Sequence, residues 1–497
     1  MDPIAFDNSY ARLPARFYAR QAPEPVSKPG AIRVNVELAT ALGIDLDWLG
    51  SDAGTAVVAG NALPPGAEPI ATAYAGHQFG GFNPQLGDGR AVLLGEVVAP
   101  DGRRFDLQLK GSGPTPWSRG GDGRSPLGPV LREYIVSEAM HRLGVPTTRS
   151  LAAATTGEIV ARDRFLPGAV LARVASSHIR IGTFQYYAAR KDVEALRLLA
   201  EHVIERHYPQ ARHTENPVLA LLEGVISRQA QLIAQWQSLG FIHGVMNTDN
   251  MLICGETIDY GPCAFMDTFN PEQVYSSIDH NGRYAYRSQP GIAHWNLSCL
   301  AQALLPLLDE DPERAVALAQ QAIDAFPEQF LRANSQGIAR KLGLRELGLE
   351  ESAEQDTALV EDLWQLMAEN QLDFTLTFRR LADLADERAG TAHSVAGLFE
   401  FPEALHPWLE RWRLRVTQDP NTSEARQALM YRANPVFIPR NHLVEAAIAA
   451  ATDNHDLSVF HQLVEVLSHP WEYRSELALY ATPPKPEQVV QQTFCGT

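Results

Sequence analysis

A clean alternation that ends on a rare residue constrains this chain more than any other feature. Beyond the Asp101-Gly102 pair, a strong hairpin-turn signal, Phe105, Leu107 and Leu109 fall on one side of Arg104 to Lys110 and Asp106, Gln108 and Lys110 on the other. That is a β-strand, and the apolar run Ala91 to Val98 before the turn is its partner. Lysine is scarce: residues 28, 110, 191, 341 and 485 are the only ones, against thirty-seven arginines. Glycine-rich loops flank the hairpin, Gly76 to Arg90 before it and Gly111 to Ser125 after it. Next, Val130, Leu131, Tyr134, Ile135 and Ala139 form a helical stripe from Pro129 to Leu143, closed by Gly144 and Pro146. Glu133 and Glu138 on that helix are candidate partners for a lysine from the sheet. Strands return near 150–161 and 169–174, which predicts a small sheet crossed by one helix.

Several chemistries fail on spacing. None of the lysines follows a glycine, so a Walker A loop is excluded, and the Gly-x-Gly pairs at 87/89, 111/113 and 121/123 lack the third glycine of a dinucleotide fingerprint. HExxH, EF-hand and GxSxG motifs are absent. The formal charge of −17 argues against nucleic acid as a partner, so an anionic ligand must meet a local arginine cluster. No apolar stretch is long enough to span a membrane, and the N-terminus lacks the pattern of a signal peptide, so the expectation is a cytoplasmic protein without a membrane partner. Cys254, Cys263, Cys299 and Cys495 make neither a disulfide framework nor a CxxC zinc site.

From about residue 190 the pattern turns helical. Val218, Leu221, Leu222, Val225, Ile226, Ile233 and Ala234 mark a long amphipathic helix that runs to Leu239-Gly240. The polar segment His243 to Asp259 follows. Gly255-Glu256 lies between two short apolar runs, which predicts a hairpin presenting Asp249, Asn250 and Asp259 side by side. Laid end to end, glycine loop, strand lysine, helix glutamate, long helix, His-to-Asn loop and Asp-aromatic-Gly follow the order of parts in a protein kinase. His243 and Asn250 are seven apart, the kinase spacing, and Asp259-Tyr260-Gly261 stands where Asp-Phe-Gly would. Val245 occupies the place of the kinase catalytic aspartate. His77 and His243 read as hydrogen-bonded structural histidines.

The segments Tyr74-Ala75-Gly76-His77-Gln78-Phe79-Gly80, Gln85-Leu86-Gly87-Asp88-Gly89-Arg90, Leu107-Gln108-Leu109-Lys110-Gly111-Ser112-Gly113 and His243-Gly244-Val245-Met246-Asn247-Thr248-Asp249-Asn250-Met251 are more specific. Over nearly its whole length the chain resembles the SelO (selenoprotein O, YdiU) family. That resemblance implies an α+β, protein-kinase-like two-lobed fold that transfers AMP from ATP to Ser, Thr or Tyr hydroxyls of proteins, with magnesium or manganese. UMP transfer with manganese on the same scaffold, or an inactive nucleotide-binding pseudokinase acting as an interaction module, are the alternatives. It further implies nucleotide contacts from Gly87, Gly89, Arg90, Lys110, Asp122, Gly123, Arg173 and Arg180, with Glu133 pairing Lys110. Asn250 and Asp259 become metal ligands and Asp249 the proton acceptor, a role that needs its carboxyl ionised at neutral pH, which a nearby cation favours. The expected organisation is an N-terminal extension (1–60), a β-rich lobe (61–185), a helical lobe (186–430) and a C-terminal extension (431–497). In the family the third residue from the C-terminus is cysteine or selenocysteine, here Cys495, and a redox pairing with a cysteine after the Asp-x-Gly element is implied. Tyr275-Ser276-Ser277 occupies the expected partner's place, Cys263 lies closer to the motif, and an unpaired tail thiol is the alternative.

Overall fold

The computed structural model describes residues 2–348, 353–386 and 394–494. Its strands are β1 (Tyr18–Arg20), β2 (Gly30–Val34), β3 (Ile70–Thr72), β4 (Gly76–Gln78), β5 (Gly81–Asn83), β6 (Ala91–Val98), β7 (Arg104–Lys110), β8 (Ser125–Pro126), β9 (Arg149–Ala161), β10 (Phe165–Ala175), β11 (Phe241–Ile242) and β12 (Ala264–Phe265). Eight of them build one sheet in the order β1-β3-β6-β7-β10-β9-β2, with β8 added to β10. Every pairing in it is antiparallel. With the many helices that follow, the fold class is α+β.

The alternating hairpin forms as its turn signal predicts, Ala91 opposite Lys110 and Val98 opposite Arg104, with a bulge between Leu93 and Gly95. Gly95 is required there, because a Cβ would collide with Asn8 and Phe6 of the N-terminal segment crossing β6. The two ends of the sheet come from one short stretch of chain. β1 and β2 are its edge strands, and the proline-punctuated segment 21–29 runs between them, bonding Glu24 N to Ser112 O and Lys28 N to Thr156 O on the way.

One expectation needs correction. An alternating strand ordinarily buries only its apolar face, with Lys110 turned away from the core, yet both faces of β7 are buried: Asp106, Gln108 and Lys110 are only 4%, 0% and 9% exposed. The cause lies outside the strand. Helices Val36–Leu42, Leu46–Leu49 and Asp52–Val58 cover the face of Leu107 and Leu109, packing Leu38, Leu42, Leu49, Val57 and Val58 onto them. Each such leucine, fully buried, contributes about 1.5–3 kcal/mol relative to exposure. The opposite face lies under helix Leu127–Arg142, so its polar side chains had to find partners of their own. That helix starts two residues before the sequence stripe and is buried nearly all round, because helices Asn441–Asp453 and Ser458–Leu467 cover its far side with Val444, Ala447, Phe460 and Leu463.

The C-terminal part is built on helix Pro217–Leu239, with Pro217 in its first turn and Gly240 ending it at φ 67°, a left-handed backbone suited to glycine. Leu221, Leu222, Val225, Ile226 and Ile233 are its buried stripe. β11 follows at once and pairs with β12. The predicted hairpin about Gly255-Glu256 does not form. Leu252 bridges to Arg180 and Thr257 to Thr147, so the two apolar runs pair with the segments that leave β10 and enter β9 instead of with each other. Glu256 is drawn the same way, accepting from Ser176 N at 3.0 Å and from Ser176 Oγ at 2.5 Å. Among the described residues no helix is long and apolar enough to cross a membrane.

Candidate active site

Lys110 ends the central strand β7, where Leu171 of β10 is its cross-strand neighbour and Arg173 is opposite Gln108. Arg173 therefore rises on the same polar face, with Gln108 Oε1 accepting from its Nη2 at 2.7 Å. Glu133, on the covering helix, binds both cations: its Oε2 lies 2.5 Å from Lys110 Nζ and its Oε1 3.0 Å from Arg173 Nη1. Glu138 is not a partner of the lysine. It faces the other way, bound to Arg149 at 2.7 Å, Asn35 at 2.7 Å and Ser150 N at 2.9 Å.

Asp259 closes the cluster from the other half of the chain. Its Oδ1 is 3.1 Å from Lys110 Nζ and 3.0 Å from Arg173 Nη1, and its Oδ2 is 2.8 Å from Arg180 Nη1. The backbone of Asp259 is left-handed, φ 64°, which a non-glycine residue adopts only when its surroundings hold it there. Burial alone would raise this carboxyl; Lys110, Arg180 and Arg173 overwhelm that and hold it well below the usual carboxylate range. Glu133 behaves alike, lowered by Lys110 and Arg173 against its burial. Three cations thus face two carboxylates, leaving a net positive charge at the base of the site.

Asp249 stands apart from this exchange. It lies in a single helical turn, Thr248–Asn250, and is 6% exposed. Gln78 donates to its Oδ2 at 3.2 Å, while its buried Oδ1 has no hydrogen-bond partner. Gly76 of the β4–β5 hairpin packs directly on it, so that a Cβ at 76 would strike the carboxylate. Here the expected direction of titration is reversed: burial raises the Asp249 carboxyl to about 6, with Arg180 only partly countering. At neutral pH the group is still largely ionised. Asn250 Nδ2 donates to the carbonyl of Val245 at 2.9 Å, which turns Oδ1 toward Arg180, 3.5 Å away. Arg180 also binds the Asp249 carbonyl and lies over the Tyr74 ring, 4.8 Å from its centroid. His243 is a structural residue: fully buried, stacked on Trp236, with its Nε2 2.8 Å from the Ile258 carbonyl.

The glycine loops roof the cluster. A Cβ at Gly87 would come within 2.5 Å of Trp117, and Gly123, at φ 63°, lies against the Gly113 carbonyl. Gly87, Gly89, Arg90, Lys110, Asp122, Gly123, Glu133, Arg173, Arg180, Asp249, Asn250 and Asp259 all line one cavity of about 450 Å³. The sequence-chosen residues therefore converge in space, with two qualifications. Asp122 turns its carboxylate to Arg162, at 2.8 and 3.0 Å, and that hydrogen bond lowers its pKa. Cys495 lies outside the described residues. Sequence reasoning missed Tyr74, Gln78, Trp117 and Arg162 on the cavity wall and Gln108 behind it. Gln108 was findable, two residues before Lys110 on the same strand face; Arg162 carries no such signal. The oxygen donors Asn250 Oδ1 and the Asp259 carboxylate, with no cysteine, methionine or histidine among the described residues lining the cavity, suit a hard divalent cation completed by phosphate oxygens.

A family model described as "Protein adenylyltransferase SelO" matches residues 3–468. The chain belongs to the SelO family. A protein of Rhodopseudomonas palustris (strain BisB5) named protein nucleotidyltransferase YdiU is 58% identical over 492 residues, 99% of each chain. Proteins of the same name from Bradyrhizobium diazoefficiens and from Rhizobium meliloti (strain 1021) are each 57% identical, the first over 99% and the second over 100% of both chains. SelO membership makes the cluster around Asp259 the candidate active site of a nucleotidyltransferase.

Proposed function

We propose that this chain transfers AMP from ATP to Ser, Thr or Tyr hydroxyls of proteins, between the lobes of a kinase-like fold (61–185 and 186–430) flanked by extensions at 1–60 and 431–497. One observation carries the reading: Asp249 is buried with an unpartnered Oδ1 beside the cluster of Lys110, Arg173, Arg180 and Asp259, while Val245 cannot act as a base. The acceptor hydroxyl loses its proton to Asp249 Oδ1 as its oxygen bonds to the α-phosphorus. The bond from that phosphorus to the bridging oxygen breaks, and pyrophosphate leaves with the electron pair. Negative charge builds on the leaving group, where Lys110, Arg90, Arg173 and Arg180 stabilise it. Magnesium or manganese, held by Asn250 and Asp259, would supply further neutralisation of the triphosphate. A base with pKa near the working pH transfers a proton efficiently, which suits the value of about 6 at Asp249. Among the described residues, the buried thiols of Cys254 and Cys299 fit a reducing, cytoplasmic setting.

ATP labelled at the α- or the γ-phosphorus tests this in one assay. Protein carrying the α-label is expected; γ-label instead means a kinase, and no label with ATP bound means an interaction module. The relatives' name leaves the nucleotide open, so α-labelled UTP belongs beside ATP, and the better donor decides between AMP and UMP.

A further inference from the structure

A second, open cavity continues from the first. Phe79 and Ile278 line both, and Asp279, His280, Asn281, Arg283 and Ile292 extend the groove away from the nucleotide side. Phe79 and Ile278 are 38% and 49% exposed, an apolar lip at the mouth of a polar site. Its position relative to Asp249 is fixed on both sides. Gln78, which binds Asp249, directly precedes Phe79, and Phe79 N bonds both Asn247 Oδ1 and Tyr284 Oη, at 3.2 and 3.1 Å. A segment lying along the groove thus reaches the carboxylate that takes the proton.

Arg283 gives the groove a charge preference. Its guanidinium lies 4.9 Å from the Trp295 ring centroid and 5.8 Å from that of Tyr284, and it pairs with no carboxylate among the described residues, its Nε being left without a hydrogen-bond partner. Asp279 does not neutralise it through a side-chain contact, because that carboxylate accepts from the backbone amides of Arg283 and Tyr284, at 2.9 and 2.8 Å. In a chain of net charge −17, an arginine held on aromatic faces without a carboxylate partner is set to receive one from elsewhere.

We propose that this groove binds the acceptor, an extended segment of the protein substrate, with an apolar side chain against Phe79 and Ile278 and a carboxylate on Arg283. The enzyme then selects hydroxyls flanked by acidic residues. The inference rests on the AMP-transfer reading, and the test separates the two. Two peptide libraries share a central Ser, Thr or Tyr and apolar neighbours, one with Glu and the other with Lys at the flanking positions. With α-labelled ATP, wild type is expected to favour the Glu library by about tenfold in kcat/KM, chiefly through KM, a size typical of a charge-assisted contact. Arg283→Glu should invert the preference and Arg283→Lys keep most of it, with ATP affinity by calorimetry showing that each variant is folded. Equal use of both libraries by wild type, an unchanged preference in Arg283→Glu, or label on intact proteins with none on any peptide overturns the groove assignment and leaves AMP transfer standing. No label on peptide or protein overturns both.

Discussion

At the scale of single residues, Asp249 is paid for in stability. Its folded pKa of about 6 exceeds the 3.8 of an ordinary aspartate, so the native state favours the protonated form. That advantage is present at low pH and is lost as pH rises through about 6; at pH 8 the buried charge costs about 2–3 kcal/mol. Asp249→Asn should therefore raise the melting temperature at pH 8 and change it little at pH 4.5. The same variant should lower AMP transfer by about a hundredfold or more, the span of a general base, with ATP affinity kept. In wild type, kcat/KM should climb as pH rises through about 6 and then level off. The position of this residue was legible from its neighbour Asn250 and the spacing to His243. Its raised pKa was not, because that depends on Gly76 and Gly182 closing over it from segments far away in sequence.

Among the elements, the ion cluster ties strands β7 and β10 to helix Leu127–Arg142 and to the loop of Asp259. Lys110→Ala and Asp259→Ala should each abolish transfer in the α-label assay while circular dichroism stays native. Glu133→Ala is the structurally severe change: it removes the more deeply buried of the two carboxylates shared by Lys110 and Arg173, 5% exposed against 23% for Asp259, and should cost about 3–5 kcal/mol in urea unfolding, the range for breaking a buried pair. Lys110→Ala should cost less, because Arg173 still holds Glu133 at 3.0 Å. Glu133 and Asp259 have lowered folded pKa values, so their stabilisation is present above the ordinary carboxylate range and fades as pH falls through those lowered values. Alternation and turn chemistry made β6, β7 and the helix readable. The false hairpin about Gly255 shows where such local rules stop: a strand pairs with whichever edge is nearest in space, and the partners of Leu252 and Thr257 lie over seventy residues upstream.

On the scale of the whole molecule, the N-terminal and C-terminal segments are part of the scaffold. The leading residues close both edges of the sheet and cover its apolar face, and the helices after residue 440 pack on the far side of the helix bearing Glu133. Removing residues 2–34 should leave two open strand edges and give aggregated protein by size-exclusion chromatography. No pattern in 1–60 betrayed this, since strands of three and five residues are too short to show a period. The same arrangement fixes an order of assembly. During synthesis β2 emerges among the first residues but waits for its partner β9, about 120 positions later, and β9 joins β7 only through β10, so the sheet cannot close until the chain has been made past residue 175. β1 finds β3 much earlier, so it is β2 that must stay unpaired, and free of competing strands, until then.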